Sequence, residues 1–292
     1  MSSCHEPVDP GTIPVLMSLN PQQRAAIEYC DGPLLVLAGA GSGKTRVITE
    51  KIAHLVARKH LAPAKIAAIT FTNKAAREMR ERAAKLLKSE AAEQLTISTF
   101  HALGLKFVQI EHAKLGLKRG FSVLDADDAG AIIKELLPAS IKSDQLFALR
   151  NLVSTAKNEG LTPEAALDRA RSPREHEAAT LYVQYQRRLA AFNAVDFDDL
   201  IRLPLGLLES DAETRTSWQE RIRYLLVDEY QDTNTAQYRL LRQLAGERGA
   251  LTAVGDDDQS IYGWRGANAE NLDQLGRDNP RLKVIKLEQN YL

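Results

Sequence analysis

Short continuous runs of apolar residues recur along the chain, and turn residues bound each run. They lie at residues 34–38, 66–71, 95–98, 224–228, 251–255 and 282–287. Hydrophobicity that is continuous rather than alternating indicates strands covered on both faces. Helical patterns separate the runs, so the sequence predicts an α/β fold built on a parallel sheet.

The pattern changes between about Gly104 and Glu209, where long, charged, helical sequence carries few strand signals. A single irregular domain is one interpretation. Because the strand pattern resumes afterwards, we favour a mostly helical domain inserted into the α/β domain. The predicted boundaries are 19–103 and 210–292 for the two α/β parts and 104–209 for the insertion.

The first 18 residues are polar, contain prolines and have no period, which predicts a flexible leader with Met17 as an alternative start to Met1. A helix is predicted to begin next. Asn20 serves as its cap, Pro21 fits the first turn, where its missing N–H costs nothing, and Gln23 occupies the capping-box position.

Composition narrows the class of protein. The 292 residues are 44% hydrophobic and 26% charged, which excludes a disordered chain. Cys4 and Cys30 cannot form a disulfide framework, so a reducing, cytoplasmic compartment is expected. The apolar runs are too short for a membrane span, and residues 1–16 lack the basic residues of a signal peptide.

A glycine-rich loop follows the run 34–38 and precedes a helical pattern; it consists of Gly39, Ala40, Gly41, Ser42, Gly43, Lys44 and Thr45. A strand, a glycine-rich turn and a helix N-terminus together place backbone N–H groups around a phosphate chain. Lys44 would reach the β- and γ-phosphates, and the Thr45 hydroxyl would bind Mg²⁺. Ala38 occupies the first glycine position of the phosphate-loop pattern, which is therefore met in relaxed form. The alternative is a glycine-rich turn before an amphipathic helix.

Two carboxylates, Asp228 and Glu229, end the apolar run 224–228. That position places them at the carboxyl edge of the sheet, where parallel sheets bind ligands. Asp228 would hold Mg²⁺ through water, and Glu229 would orient and deprotonate an attacking water. Taken alone, the pair would be read as a solvated surface feature; with the phosphate loop, it predicts hydrolysis of a nucleotide.

Seven motifs in order give the chain its resemblance: LNPQQ at 19–23, AGAGSGKTR at 38–46, TFTNKAA at 70–76, STFH at 98–101, DFDDL at 196–200, DEYQDTN at 228–234 and GDDDQSIYGWRG at 255–266. Over about residues 18–291 the chain resembles the UvrD/Rep group of superfamily I DNA helicases. The motif sequences DEYQDTN and GDDDQSIYGWRG are most similar to those of the Rep branch. The resemblance implies a RecA-like motor domain that uses ATP and Mg²⁺.

The resemblance also implies nucleotide contacts outside the loop. Gln23 would bind the adenine edge, with a helix cap as the alternative role. Arg46 would lie near the nucleotide, with an exposed helix arginine as the alternative. Gln259 would contact the γ-phosphate, unless it belongs to a plain polar loop, and Tyr291 would stack on adenine.

For single-stranded DNA, the resemblance implies stacking by Phe71, Phe197, Tyr262 and Trp264. Every base has a π-face, so stacking needs no particular sequence. Supporting phosphate or base contacts would come from Asn73, Thr99, His101 and Arg265. Each aromatic taken singly is more often a core residue.

Charge is balanced overall, with 38 Lys plus Arg against 38 Asp plus Glu. A neutral sum does not exclude nucleic acid, because it says nothing about where the charges lie. Residues 73–88 are strongly basic, with Ala76, Met79, Ala83 and Leu86 predicted as the buried stripe of one helix. Such a run is either a solvated face or a surface for phosphates.

The family motif at the chain's end reads Gln-Asn-Tyr-Arg, whereas this chain ends with Leu292 in the arginine position. The resemblance therefore implies an N-terminal half that lacks the second motor domain and its arginine finger. An arginine finger is worth about 10³ to 10⁵ in turnover, so poor hydrolysis by the chain alone is expected.

Three functional hypotheses remain. The first is a helicase that moves 3′ to 5′ on single-stranded DNA and separates the duplex at single-strand/duplex junctions. It would act as a monomer or a DNA-induced dimer. Its partners would be replication or repair proteins, and it would not associate with a membrane. The second is an ATP- and DNA-binding module without productive turnover. The third is a nuclease-fused recombination helicase.

Overall fold

A computed structural model describes residues 19–39, 41–87, 89–256 and 270–288. Its strands are β1 (Leu34–Ala38), β2 (Ile66–Thr70), β3 (Thr96–Thr99), β4 (Ser122–Leu124), β5 (Ala194–Asp196), β6 (Tyr224–Val227), β7 (Leu251–Gly255) and β8 (Lys283–Leu287). Each of the six predicted runs therefore contains a strand, with ends shifted by at most one residue.

Helices occupy most of the remaining chain. They are α1 (Pro21–Glu28), α2 (Lys44–Ala57), α3 (Asn73–Leu86), α4 (Ser89–Gln94), α5 (Phe100–Glu111), α6 (Ala126–Glu135), α7 (Ser143–Asn158), α8 (Pro163–Arg169), α9 (Pro173–Ala191), α10 (Asp199–Ser210), α11 (Ala212–Arg221), α12 (Thr235–Ala245) and α13 (Glu270–Asp278). Short 3-10 turns lie at Pro63–Lys65 and Tyr230–Asp232.

Six of the strands form a parallel sheet in the order β3-β2-β6-β7-β1-β8. Strands β2, β6 and β7 are buried over their whole length, while β8 at the edge is mostly exposed. The predicted α/β class with a parallel sheet is confirmed. The ends of β1, β2, β3, β6 and β7, which carry most of the candidate site residues, therefore meet at one carboxyl edge.

Helices cover both faces of the sheet, which is why its strands read as continuous apolar runs. On one face, α1, α2 and α3 pack through residues such as Ile27, Ile48 and Met79. On the other, α5, α10, α11 and α12 pack through residues such as Phe107 and Leu205.

The start of α1 follows the predicted capping chemistry. The Asn20 side chain accepts from the Gln23 N–H at 2.7 Å, and the Gln23 side chain accepts from the Asn20 N–H at 3.2 Å. Pro21 occupies the first turn. The N–H groups of Asn20 and Gln23, which have no acceptor within the helix, thus each bind the other residue's side chain.

Helices α6 to α9 have an apolar core of their own, which includes Leu149, Val153, Tyr182 and Leu189. The short strands β4 and β5 pair in parallel beside them and were not predicted. Helices α5 and α10, at the two ends of the predicted insertion, contribute to the core on the sheet. The division of the chain at residues 104 and 209 stays a prediction, and we retain it as a proposal.

The basic run forms α3, which ends at Leu86, two residues before the end of the predicted run. Ala76, Met79 and Ala83 are buried as predicted, whereas Leu86 is half-buried. Arg80 folds back to donate to the Ile97 carbonyl at 2.7 Å. The remaining cations of the described run lie on the outer face.

No helix within the described ranges has both the length and the apolar content that crossing a membrane requires.

A buried ion cluster joins α7 to the start of α10. The fully buried ammonium of Lys157 lies 2.6 Å from Asp196 Oδ2 and 3.2 Å from Asp199 Oδ1. Arg202 donates to Asp199 Oδ1 at 3.0 Å, and the Tyr185 hydroxyl donates to Asp196 Oδ2 at 3.0 Å. Burial acts to raise the pKa of Asp199, but Lys157 and Arg202 outweigh it and hold that pKa below its usual value.

We expect Lys157→Met to lower the free energy of unfolding by about 3 to 5 kcal/mol, because removal of one partner leaves buried carboxylates uncompensated. Urea denaturation at neutral pH measures the change. Lys114→Met is the matched control, since the Lys114 ion pair with Asp211 is solvent-exposed and exposed pairs contribute little. A loss for Lys157→Met no larger than that of the control would contradict the expectation.

Candidate nucleotide and DNA site

The phosphate loop connects the buried strand β1 to α2. Gly41 and Gly43 have φ angles of 77° and 88°, a left-handed conformation that glycine adopts without strain. Helix α2 begins at Lys44 with no side chain capping it. The N–H groups of a first helical turn have no acceptor within the helix, so the loop presents an anion-binding helix end.

Gln23 contacts the loop directly. Its Nε2 donates to the Ser42 carbonyl at 3.0 Å, and the buried Ser42 hydroxyl donates to the Gly39 carbonyl at 2.6 Å. The capping role of Gln23 is observed at the start of α1, where its Oε1 accepts from the Asn20 N–H. Its separate bond to Ser42 holds α1 against the loop. A glutamine amide has two donors and two lone pairs, so capacity for an adenine edge remains. That adenine contact stays a prediction.

Lys44 faces carboxylates at the ends of two strands. Its Nζ lies 3.3 Å from Glu229 Oε2, after β6, and 3.5 Å from Asp256 Oδ2, after β7. The side chain of Asp256 is 1% exposed, whereas that of Glu229 is 37% exposed. The lysine therefore links the phosphate loop to the acidic edge of the sheet.

Asp228 is buried beside Glu229 at the end of β6. Burial, reinforced by the neighbouring charge of Glu229, raises the pKa of Asp228 to about 7. The Asp228 N–H donates to the Ile69 carbonyl of β2 at 2.9 Å, which ties this carboxylate to the neighbouring strand. A carboxylate held this way gains from a cation placed beside it.

Glu229 adopts a left-handed backbone with φ of 50°, which is uncommon for a residue with a side chain. Gln231, in the 3-10 turn that follows, holds it: Gln231 Nε2 donates to Glu229 Oε2 at 2.8 Å. The same amide accepts from the Asp256 N–H through Oε1 at 3.0 Å. One side chain therefore bridges the ends of β6 and β7.

The predicted metal ligands are hard oxygen donors. Asp228 offers a carboxylate and the half-buried Thr45, in the first turn of α2, offers a hydroxyl. Carboxylate and hydroxyl oxygens together with substrate phosphates are what Mg²⁺ prefers. The residues present fit this ion, and Thr45 and Asp228 remain predicted ligands.

Candidate DNA residues lie at the same edge, where β2 and β3 end. The rings of Phe71 and Phe100 have centroids 5.3 Å apart, and those of His101 and Phe197 are 5.9 Å apart in an edge-on arrangement. Phe71 packs partly against the core, whereas Phe197 is 50% exposed. Of the two predicted stacking residues that the structure describes, Phe197 is the more exposed and the more available for stacking.

The two polar candidates differ in surroundings. Asn73 is exposed at the first position of α3. Thr99 is buried and caps α5, its hydroxyl accepting from the Ala102 N–H at 3.2 Å. A hydroxyl that accepts can still donate, so a phosphate contact by Thr99 stays a prediction.

Comparison with known proteins decides the family. The model of the UvrD/REP helicase N-terminal domain matches residues 19–280. The chain belongs to the UvrD/REP helicase family.

Relatives agree with this assignment. The chain is 54% identical to ATP-dependent DNA helicase Rep of Escherichia coli over 94% of its length and 41% of the relative's. It is 47% identical to the Rep helicase of Buchnera aphidicola subsp. Acyrthosiphon pisum over 94% of its length and 43% of the relative's. It is 44% identical to ATP-dependent DNA helicase PcrA of Bacillus subtilis over 95% of its length and 38% of the relative's. The chain thus spans about two fifths of these curated relatives.

Several predicted site residues of this UvrD/REP chain fall outside the described residues. They are Ala40, Gln259, Tyr262, Trp264, Arg265 and Tyr291. Of the rest, the structure brings together Gln23 with Ser42 of the loop, and Lys44 with Glu229. Arg46 is half-buried on the first turn of α2, with Glu50 one turn further along. Phe71, Thr99, His101 and Phe197 gather at the ends of β2, β3 and β5.

Sequence reasoning overlooked two residues of the site. Gln231 and Asp256 each stood within a motif, but neither received a role. The available signal was their placement, since Gln231 comes two residues after the candidate base and Asp256 directly follows a predicted strand.

We expect Gln231→Leu to slow ATP hydrolysis by up to about 100-fold with little change in nucleotide affinity, because Glu229 loses the donor that orients it. Single-turnover hydrolysis with protein in excess over radiolabelled ATP measures the rate. Gln219→Leu is the matched control, as the Gln219 amide donates to the Gln243 carbonyl away from the site. Equal rates for the two variants would contradict a positioning role.

Proposed function

We propose that this chain is part of an ATP-dependent DNA helicase whose nucleotide is hydrolysed at the carboxyl edge of the sheet. The observation that carries the proposal is the meeting of Lys44, on the phosphate loop, with carboxylates at the ends of two adjacent strands. The relatives named as ATP-dependent DNA helicases support it. Hydrolysis would drive 3′ to 5′ movement on single-stranded DNA.

In this proposal the loop and Lys44 bind the phosphates. The N–H groups at the start of α2 point along the helix axis, where the dipole favours negative charge. The Lys44 ammonium then exchanges its contact with Glu229 for the β- and γ-phosphates and stays near the buried Asp256. The exchange releases Glu229, the more exposed of the two acids, for the reaction.

Glu229 would orient the attacking water and take its proton, held in place by Gln231. Thr45 and Asp228 would hold Mg²⁺, which when bound neutralises charge on the phosphate oxygens. The pKa of about 7 for Asp228 supports this assignment, because a nearby cation would stabilise its ionised form. Asp256 would stay buried as a fixed negative charge near the phosphate loop.

DNA would cross the neighbouring strand ends. Phe197 and Phe71 would stack bases, His101 and Thr99 would support them, and Asn73 would meet the backbone with the cations of α3. The hydrogen bond from the Asp228 N–H to the Ile69 carbonyl and the pairing of β2 with β6 support this proximity of the two proposed sites. Base stacking without base-specific contacts suits an enzyme that moves along any sequence.

The finer features belong to the same proposal. We propose that a second motor domain with an arginine finger completes the site and that junctions of single-stranded and duplex DNA are the substrate. The protein would work in the cytoplasm with replication or repair proteins. It would act as a monomer or a DNA-induced dimer. The second candidate function is a nucleotide- and DNA-binding module without turnover. It applies to the chain as it stands, which spans about two fifths of the length of its relatives.

We expect this chain to bind ATP with Mg²⁺, and Lys44→Ala to abolish that affinity, because the phosphates lose their cation. Isothermal titration calorimetry measures the affinity, and circular dichroism checks the fold. Lys59→Ala, beyond the opposite end of α2, is the matched control. Unchanged affinity for Lys44→Ala would overturn the phosphate-site assignment, and robust DNA-stimulated hydrolysis by the chain alone would overturn the binding-module alternative.

We expect Phe197→Ala to weaken binding of a labelled single-stranded oligonucleotide by about 1 to 3 kcal/mol, the value of one stacked base. Fluorescence anisotropy at constant salt measures it. Phe192→Ala is the control, since Phe192 is equally exposed at 53% but was not assigned to DNA. If both variants bind as the unmodified chain does, Phe197 is no stacking platform.

A further inference from the structure

The turn 196–199 directs three acidic side chains inward and one aromatic ring outward. Asp196 accepts from the Asp199 N–H at 2.9 Å, and Asp199 accepts from the Gln186 amide at 3.0 Å. Asp198 stands at the N-cap of α10 but makes no side-chain cap bond there. An aspartate at this position ordinarily caps its own helix, so its carboxylate is committed elsewhere.

The carboxylate of Asp198 binds α7 instead. The Ser154 hydroxyl donates to Asp198 Oδ2 at 2.7 Å. Asn158 Nδ2 donates to the Ser154 carbonyl at 3.0 Å and approaches Ser154 Oγ at 3.2 Å and Asp198 Oδ1 at 3.4 Å, so Ser154 and Asn158 hold this carboxylate together. Burial, together with the charge of Asp196, raises the pKa of Asp198 to about 6. These two donors on α7 therefore stabilise a carboxylate that is costly to ionise at this place.

Asn158 connects in turn to the segment that follows the nucleotide-site carboxylates. Asn234 Nδ2 donates to Asn158 Oδ1 at 2.7 Å. Asn234 also caps α12, with Oδ1 accepting from the Gln237 N–H at 2.8 Å. Backbone bonds from the Asp232 N–H to the Glu229 carbonyl and from the Thr233 N–H to the Tyr230 carbonyl close a turn over residues 229–233. With the flanking Asp228 and the cap residue Asn234, this segment is the nucleotide-site turn 228–234.

The same end of α7 is fastened to α12 a second time. Arg239, on α12, donates to the Glu159 carbonyl at 3.1 Å and pairs with Glu209 of α10 at 2.7 Å. Gly160 follows with a φ of 75°, and a Cβ there would lie 2.8 Å from both Arg239 and Leu205. The left-handed φ favours glycine at this position, and the bond from Arg239 to the Glu159 carbonyl joins the end of α7 to α12.

We propose that Asn158 and Asp198 are positioning residues that hold the Phe197 ring at a fixed place relative to the nucleotide-site turn 228–234. The path runs from Asn234 through Asn158 to Asp198, the residue next to Phe197. These are three segments far apart in sequence, joined by side chains rather than by backbone. A displacement of the turn 228–234 would thereby reach the aromatic ring, and its effect on DNA rests on the proposed function.

Asn234→Asp tests the path without removing the helix cap. An aspartate caps as well as asparagine does, yet it has no donor for Asn158 Oδ1. We expect backbone amides of residues 200–202, which donate to the Phe197 and Asp198 carbonyls, to exchange with deuterium at least about tenfold faster. Asn158→Ala removes the bonds to both Asn234 and Asp198, so it should accelerate deuterium exchange at the same amides.

Ser172→Ala is the control for general loss of stability. Ser172 caps α9 through the Glu175 N–H and has no recorded part in the path. We expect its exchange at residues 200–202 to match that of the unmodified chain. Unchanged exchange in both Asn234→Asp and Asn158→Ala, or equal acceleration in Ser172→Ala, would overturn the proposal.

A double-mutant cycle then tests whether the path acts through Phe197. Asn234→Asp should weaken oligonucleotide binding by anisotropy in the unmodified chain and have no further effect once Phe197→Ala is present. An equal loss with and without Phe197→Ala would overturn the positioning role. If the unmodified chain binds no oligonucleotide, the proposed function fails, while the exchange measurement still decides whether the path holds the turn.

Discussion

The ammonium of Lys44 lies between Glu229 and Asp256, and this group of charges is the constraint on which the candidate site depends. A buried carboxylate such as Asp256 needs a nearby cation, and the phosphate loop supplies it. The arrangement requires β1 to lie beside β7, and β7 beside β6, in the order that the sheet has. The ion pairs of Lys44 with Glu229 and Asp256 therefore depend on the order of β6, β7 and β1 in the sheet.

The neutral composition of the chain conceals a separation of charge along one edge of the sheet. Acidic side chains follow β6 and β7, whereas the cations of α3 begin after β2. The sheet order places β2 next to β6, so the acidic and basic regions adjoin rather than mix. Adjoining regions of opposite sign suit two ligands, one of which brings a metal ion and the other a bare phosphate backbone.

Much of the fold could be predicted because a parallel sheet covered on both faces leaves continuous apolar runs, and all six runs became strands of one sheet. Capping by Asn20 and Gln23 was equally local and equally visible. The strands β4 and β5 were missed because three residues give no period to read. The pairing of Lys44 with Asp256 depends on strand order, which no local pattern contains.

The two buried lysine clusters have opposite consequences for motion. Lys157 has no exposed surface and is enclosed by two aspartates and two tyrosine rings, so exchanging its partners would strand charges away from water. Lys44 retains 12% exposure and faces a half-exposed Glu229, so an arriving phosphate can replace that carboxylate at small cost. The chain thus has one fully buried ion cluster beside Phe197 and a more exposed one at the phosphate loop. Under the proposed function, ligand exchange at the second cluster would act against the fixed position of the first.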